Sequence, residues 1–249
     1  MEFKNMNDTV ALPQLILCIP GPWKDRTQFL QRLIEGSKGE YVFAGVLLMH
    51  IATKNVFEVE FHPRDEKMQS AFQSAGPHWR DSTEMARIDS HQSVVYLLGH
   101  GGSDKNIQAL MLAAQALLDA GGLGVKIETT GLAHSPDAWR RMCSDIALFS
   151  PYHAFVVVVT GRDEIYSCGM HSFGMHDVQV VDEDSASARQ AAQTFTWYLY
   201  TERPTINAGQ TFSCDEQSPR YRIFSSEGVD YGPDSLFSNP NGTWQLRRL

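Results

Sequence analysis

Basic residues are scarce in this sequence: 21 Lys and Arg stand against 29 Asp and Glu, a formal charge of −8. That deficit argues against a nucleic-acid partner, because affinity for a phosphate backbone comes from neutralising cations. The pairs Arg140-Arg141 and Arg247-Arg248 are too small to reverse it. Long apolar runs are missing too. The longest, Tyr41 to Ile51, falls short of the roughly 20 residues that cross a bilayer, which excludes a membrane partner. Cysteine is sparse, and Cys18, Cys143, Cys168 and Cys214 lie far apart. The opening Met1-Glu2-Phe3-Lys4-Asn5 has neither the basic nor the apolar region of a secretory leader, so reduced thiols and a cytoplasmic location are expected. No segment is compositionally biased. With 249 residues, 43% of them hydrophobic and 20% charged, the chain has enough apolar material for a sizeable core.

Gln14 to Ile19 reads as a buried strand, followed after Pro20-Gly21-Pro22 by a helix from Asp25 to Glu35 that stops at Gly36. Tyr41 to Ile51 is apolar on both faces, which predicts a central strand. Val56 to Phe61 alternates and forms a hairpin with it across Thr53-Lys54-Asn55. A helix carrying Met68, Ala71, Phe72 and Ala75 comes next, and 78–90 reads as a connection. Ser93 to Leu98 is then a strand. It leads into the clearest helix of the chain, with Ile107, Leu110, Met111, Ala114, Leu117 and Leu118 in one stripe, capped by Ser103 or Asp104. Further strands are expected at Val125 to Thr129, Ala154 to Thr160, Ile165 to Cys168 and Val178 to Val181, the middle two joined across Gly161-Arg162-Asp163. An amphipathic helix over 185–202 and a last hairpin, 211–214 with 221–224, complete the pattern.

Both halves run strand, glycine- or proline-rich loop, helix, strand, hairpin strand, helix, the order of a split βαβ unit. The expected fold is α+β, with two tandem ferredoxin-like halves and antiparallel sheets whose helices pack on one face. The expected divisions are an N-terminal tail at 1–13, a first half at 14–90, a second at 91–225 and a loop-rich C-terminal tail at 226–249.

Reactive side chains crowd into one place, Ser167-Cys168-Gly169-Met170-His171-Ser172-Phe173-Gly174-Met175-His176-Asp177. As a metal site, Cys168, His171 and His176 offer zinc-type ligands, with a fourth from His100, His134 or Cys214. The spacing has no tight ligand pair, and along a regular strand Cys168 and His171 point to opposite faces. As a nucleophile site, Cys168 with His171, or Ser172 with His176, needs an orienting carboxylate such as Asp177. The segment is one residue too long for a serine-hydrolase elbow and leads into a strand rather than a helix. His100-Gly101-Gly102 is like an oxyanion loop with no elbow to serve. Gly99-x-Gly101-x-x-Asp104, with Glu128 beyond the next strand, is laid out like a dinucleotide fingerprint. Asp104 places a carboxylate where the pyrophosphate belongs, and a helix cap explains it fully. No cofactor is implied.

The run 121–125 with Leu132-Ala133-His134-Ser135, the stretch Tyr166 to Gly174 leading to Asp177-Val178-Gln179-Val180, and the helix that follows resemble an uncharacterised bacterial family, domain-of-unknown-function family 4261. Cys168, Gly169, Met170, Phe173 and Gly174 fit that family's motif before a strand, and the likeness covers mainly the second half of the chain. It implies a bacterial cytoplasmic α+β protein, and it carries no activity or catalytic residue to transfer.

Without a complete catalytic constellation, the sequence leaves enzymatic activity open and leans against it. The expected function is a non-enzymatic protein-binding module, an immunity or accessory protein of a bacterial toxin or secretion locus, whose acidic surface suits a basic partner. The alternative is a metal- or thiol-dependent hydrolase centred on Cys168, His171, His176 and His100. The sequence sets no oligomeric state.

Overall fold

The computed structural model describes residues 12–80, 82–144, 149–161, 164–181, 185–227, 232 and 235–249. Among them, two sheets and seven α-helices make an α+β protein. Most of the expected tail at 1–13, and Arg162-Asp163 of the expected turn, lie outside the described residues.

The first sheet is built around β1 (Gln14–Gly21). Leu15, Leu17 and Ile19 enter a large core on one face, while Cys18 enters a smaller one on the other. α1 (Arg26–Gly36) begins at Asp25, whose carboxylate accepts the Gln28 N–H at 2.8 Å. The run expected as a central strand is instead a hairpin at the sheet edge, β2 (Tyr41–Ala44) and β3 (Leu47–His50). Gly45, at φ +64°, makes the turn in a conformation that favours glycine, so a largely apolar run folds back on itself. After β4 (Val56–Pro63) come α2 (Met68–Ser74), α3 (Thr83–Asp89), β5 (Ser93–His100) and α4 (Asp104–Asp119), then the short strands β6 (Val125–Ile127) and β7 (Ala133–His134).

The strand order is β2-β3-β4-β5-β1-β6-β7, antiparallel throughout. Strands β4, β5, β1 and β6, with α1 after β1 and α4 after β5, follow the split βαβ order once. β5 lies between β4 and β1, so the first strand of the expected second half, 91–225, completes the sheet of the expected first half, 14–90. Val94, Val95 and Leu97 are buried on both faces of β5, which suits that central position. Helices also cover both faces rather than one. α1 and α4 pack on the large core, while Met68, Phe72, Met85 and Ile88 of α2 and α3 pack with Cys18 and Val94 on the opposite side. A central strand apolar on both faces requires cover on both.

α5 (Pro136–Ser144) and α6 (Phe149–Phe155) lean on α4, and Trp139 Nε1 donates to Met111 O at 3.1 Å. The second sheet contains β8 (Val157–Thr160), β9 (Glu164–Cys168), β10 (Asp177–Val181), β11 (Thr211–Ser213), β12 (Arg220–Ser226) and β13 (Thr243–Arg248). Its order, β11-β12-β13-β10-β9-β8, is not a second split βαβ. β8 to β10 form a meander, α7 (Ser185–Glu202) crosses the sheet, and β13 returns parallel to β10. β13 lies in the segment expected to be loop. Its Thr243 and Leu246 are buried in the middle of the sheet, a pattern masked by the glycines, prolines and asparagines before it. Ala188, Ala191, Ala192, Phe195 and Leu199 of α7 are buried as its periodicity predicts, whereas Tyr198, expected on the same face, is 38% exposed, and one continuous core joins both sheets.

Candidate functional site

The segment 167–177 is a buried junction between β9 and β10. Gly169 starts it at φ +116°, where a Cβ would stand 2.0 Å from Phe155 O, so both the conformation and the space require glycine. A 3-10 turn over Met170–Phe173 follows, closed by Gly174 at φ +71°. Asp177 organises the loop from within. Its carboxylate accepts hydrogen bonds from Ser167 Oγ at 2.8 Å, Met170 N–H at 3.2 Å and Asn239 Nδ2 at 2.7 Å. Ser167 Oγ in turn accepts the Val178 N–H at 2.8 Å. The same loop is tied to the first sheet, because Gly102 N–H donates to Ser172 O at 2.8 Å. Gly101 packs so closely there that a Cβ would lie 2.3 Å from Ser172 O.

The reactive groups of this loop are held where they do little chemistry. Cys168 is buried with Sγ 3.8 Å from Thr129 O. Burial, then the nearby Asp177 carboxylate, push its thiol up to about 12, so it stays protonated at neutral pH. His171 is 3% exposed, and neither ring nitrogen has a hydrogen-bond partner among the described residues. Its Nδ1 lies 4.0 Å from Asp177 Oδ2, too far for a hydrogen bond. Ser172 Oγ is likewise buried without a partner.

His176 faces elsewhere, stacked on Trp244 with ring centroids 4.6 Å apart and lining a cavity of about 280 Å³ with Phe173, Met175 and Arg203. Burial lowers its pKa, against the pull of Asp177. His100 is exposed at the end of β5, and His134 contacts Ala154 O at 2.9 Å. Cys214 lines a separate cavity beside α7. Among the described residues, no three His, Cys, Asp or Glu side chains are grouped to hold a metal. The structure thus buries Ser167, Cys168, His171, Ser172 and Asp177 together in the junction, turns His176 of the same segment toward Trp244, and leaves His100, His134 and Cys214 elsewhere. Asp104, the departure from a dinucleotide fingerprint, sits in the first turn of α4 and pairs with Arg203 at 2.8 Å, while Ser103 Oγ accepts the Asn106 N–H as the cap.

A different region stands open. On the face of the first sheet that carries Cys18, side chains align across the strands in rows. One is Val42, Met49 and Val56; the next is Ala44, Leu47, Glu58, Leu98 and Ile16. A third, Glu60, Tyr96, Cys18 and Lys126, runs into the small core beneath α2 and α3. Those helices cover one end of the face only. Val42, Leu47 and Val56 are 40%, 46% and 50% exposed, and Val46 and Ile51 beside them are exposed as well. Carboxylates border the patch: Glu58 and Glu60 on β4, Glu128, which pairs with Lys126 at 2.6 Å, and Glu40 in the bend just before β2.

The signal for this face was present in the sequence as the apolar run from Tyr41 to Ile51. Its position at the sheet edge, which exposes half of it, depends on strand order that local patterning does not carry.

No family model, curated protein or solved structure matches the chain. Among the described residues, no helix is long and apolar enough to cross a membrane.

Proposed function

We propose that this chain is a protein-binding module whose contact surface is the outer face of β2, β3 and β4. The observation that carries this reading is the exposed apolar patch of Val42, Leu47 and Val56, continued inward by Met49, Leu98 and Ile16 and bordered by Glu40, Glu58, Glu60 and Glu128. Burial of such a patch supplies the driving force for association, and a carboxylate rim selects a partner with basic residues around an apolar centre. An immunity or accessory role in a bacterial toxin or secretion locus is one setting for such a surface. Four unpaired thiols suit a cytoplasmic location. The hydrolase alternative gains no support from Cys168, which is buried and protonated, or from His176, which stacks on Trp244.

The test compares capture of one identified partner by the parent chain and by Leu47→Lys, Val56→Lys and Ile34→Lys. Ile34 is exposed on α1, away from the patch. The expected result is capture that weakens with salt, is lost with the first two variants and survives the third. Equal capture by all four proteins would contradict the reading.

A further inference from the structure

Among the described residues, β2 is, of the four strands that end the two sheets, the one left ready to accept another. β7 has two residues and β11 three, and the outward Val158 carbonyl of β8 already accepts Arg189 Nη1 at 3.0 Å. The ladder fixes which groups of β2 face out. Ile51 N–H donates to Glu40 O at 2.9 Å, and Val59 N–H donates to Val46 O at 2.7 Å. Antiparallel alternation then turns the main-chain groups of Val42 and Ala44 toward β3, and those of Tyr41 and Phe43 away from the sheet. Among the described residues, no main-chain group meets Tyr41 or Phe43 from that side.

Exposed edges are commonly blunted by lysine, proline or a bulge. Tyr41-Val42-Phe43-Ala44 has neither residue and pairs in regular register with β3. Among the described residues, Arg26 reaches its far end, where it donates to Gly45 O and sets its guanidinium over the Phe43 ring at 5.0 Å.

Resting on the binding face assigned above, we infer that the partner enters as an extended segment that adds a strand to the outer edge of β2. Such a strand hydrogen-bonds the outward groups of Tyr41 and Phe43 and lays alternate side chains on the apolar face. Val42 and Ala44 share that face, because Tyr41 beside Val42 points into the core, and Glu40 stands just before the strand with its main chain paired to Ile51. The segment therefore carries apolar residues opposite Val42 and Ala44 and a lysine or arginine opposite Glu40. Cross-strand pairs of opposite charge and of apolar side chains are favourable at that spacing.

The probe is a synthetic peptide that alternates threonine with valine and bears a lysine two positions beyond each end of the valine row. A control peptide carries glutamate in place of lysine. Amide hydrogen exchange at Tyr41 and Phe43 reads the edge, and the methyl signals of Met49 and Val56 read the face. Saturable binding is expected, with exchange at both amides slowed about tenfold or more. The control peptide is expected to bind about three- to fivefold more weakly, a gap that closes in Glu40→Gln.

Methyl shifts without slowed exchange at Tyr41 and Phe43 would overturn strand addition and leave the face as a docking surface. Failure of the lysine peptide to saturate at about 5 mM would also overturn it, and the face reading then rests on the capture test alone. If the chain without peptide slows the same two amides as its own concentration rises, a second copy occupies the edge and the partner segment is overturned.

Discussion

Cys168 ends one strand and Val56 begins another, yet they meet opposite fates. The thiol is buried and held in its protonated form, while the valine is half exposed, with no helix over it among the described residues. The same contrast separates the two regions they belong to. Residues 167–177 hold much of the reactive chemistry of the chain and spend it on fastening β9 to β10 and the second sheet to the first. The outer face of β2 to β4 holds mostly valine, leucine and alanine and presents them to solvent. Reactive residue types mark a working site only when water or a substrate reaches them. Unreactive ones mark a contact surface when nothing covers them.

The largest effects that sharpen this contrast belong to the junction. Gly169→Ala forces a side chain against Phe155 O in a left-handed conformation and is expected to cost about 3–5 kcal/mol or prevent folding. Asp177→Ala strands the hydrogen bonds from Ser167, Met170 and Asn239, at an expected cost of about 3 kcal/mol. Urea unfolding measures both, and a change below about 1 kcal/mol in either variant would show that the loop is not the fastening described.

His171 provides a sharper probe of the same region. An imidazole buried with neither nitrogen bonded among the described residues contributes nothing polar to stability, so His171→Leu is expected to be neutral or to stabilise by about 1 kcal/mol. Destabilisation by about 2 kcal/mol or more in that variant would mean that the ring serves a bound group.

The Cys168 thiol gives a smaller effect with a defined pH window. Its folded pKa, raised from 9.0 to about 12, means that both states keep the proton below pH 9 and the contribution to stability is complete there. Between pH 9 and 12 the unfolded chain releases a proton that the folded chain retains, so stability falls as pH rises, by up to about 1.4 kcal/mol per unit. Unfolding measured at pH 8 and pH 10 is expected to show a shallower alkaline loss for Cys168→Ala than for the parent chain. An identical loss in both would place the thiol in contact with water.

Local patterns in the sequence located most of the helices, because each depends on its own periodicity and caps. The stripe of α4 from Ile107 to Leu118 is buried as its spacing requires, and Asp25 and Ser103 start their helices. The insertion of β5 between β4 and β1, and of β13 beside β10, could not be read in the same way. Those pairings join residues far apart in the chain, and a strand does not encode its neighbour. The same limit hid the contact face. Val42, Leu47 and Val56 are ordinary strand residues until the order of the sheet leaves them at its edge. The crowding of Cys168, His171 and Asp177 was plain in the sequence, but its burial against the first sheet was not.

Partner binding measured side by side for Val56→Lys and Cys168→Ser tests the central claim most directly. Both variants must first show the unfolding midpoint of a folded chain. If the face is the working surface, Val56→Lys weakens binding about tenfold or more while Cys168→Ser binds as the parent does. The reverse pattern, with binding lost in Cys168→Ser and kept in Val56→Lys, would return the function to residues 167–177.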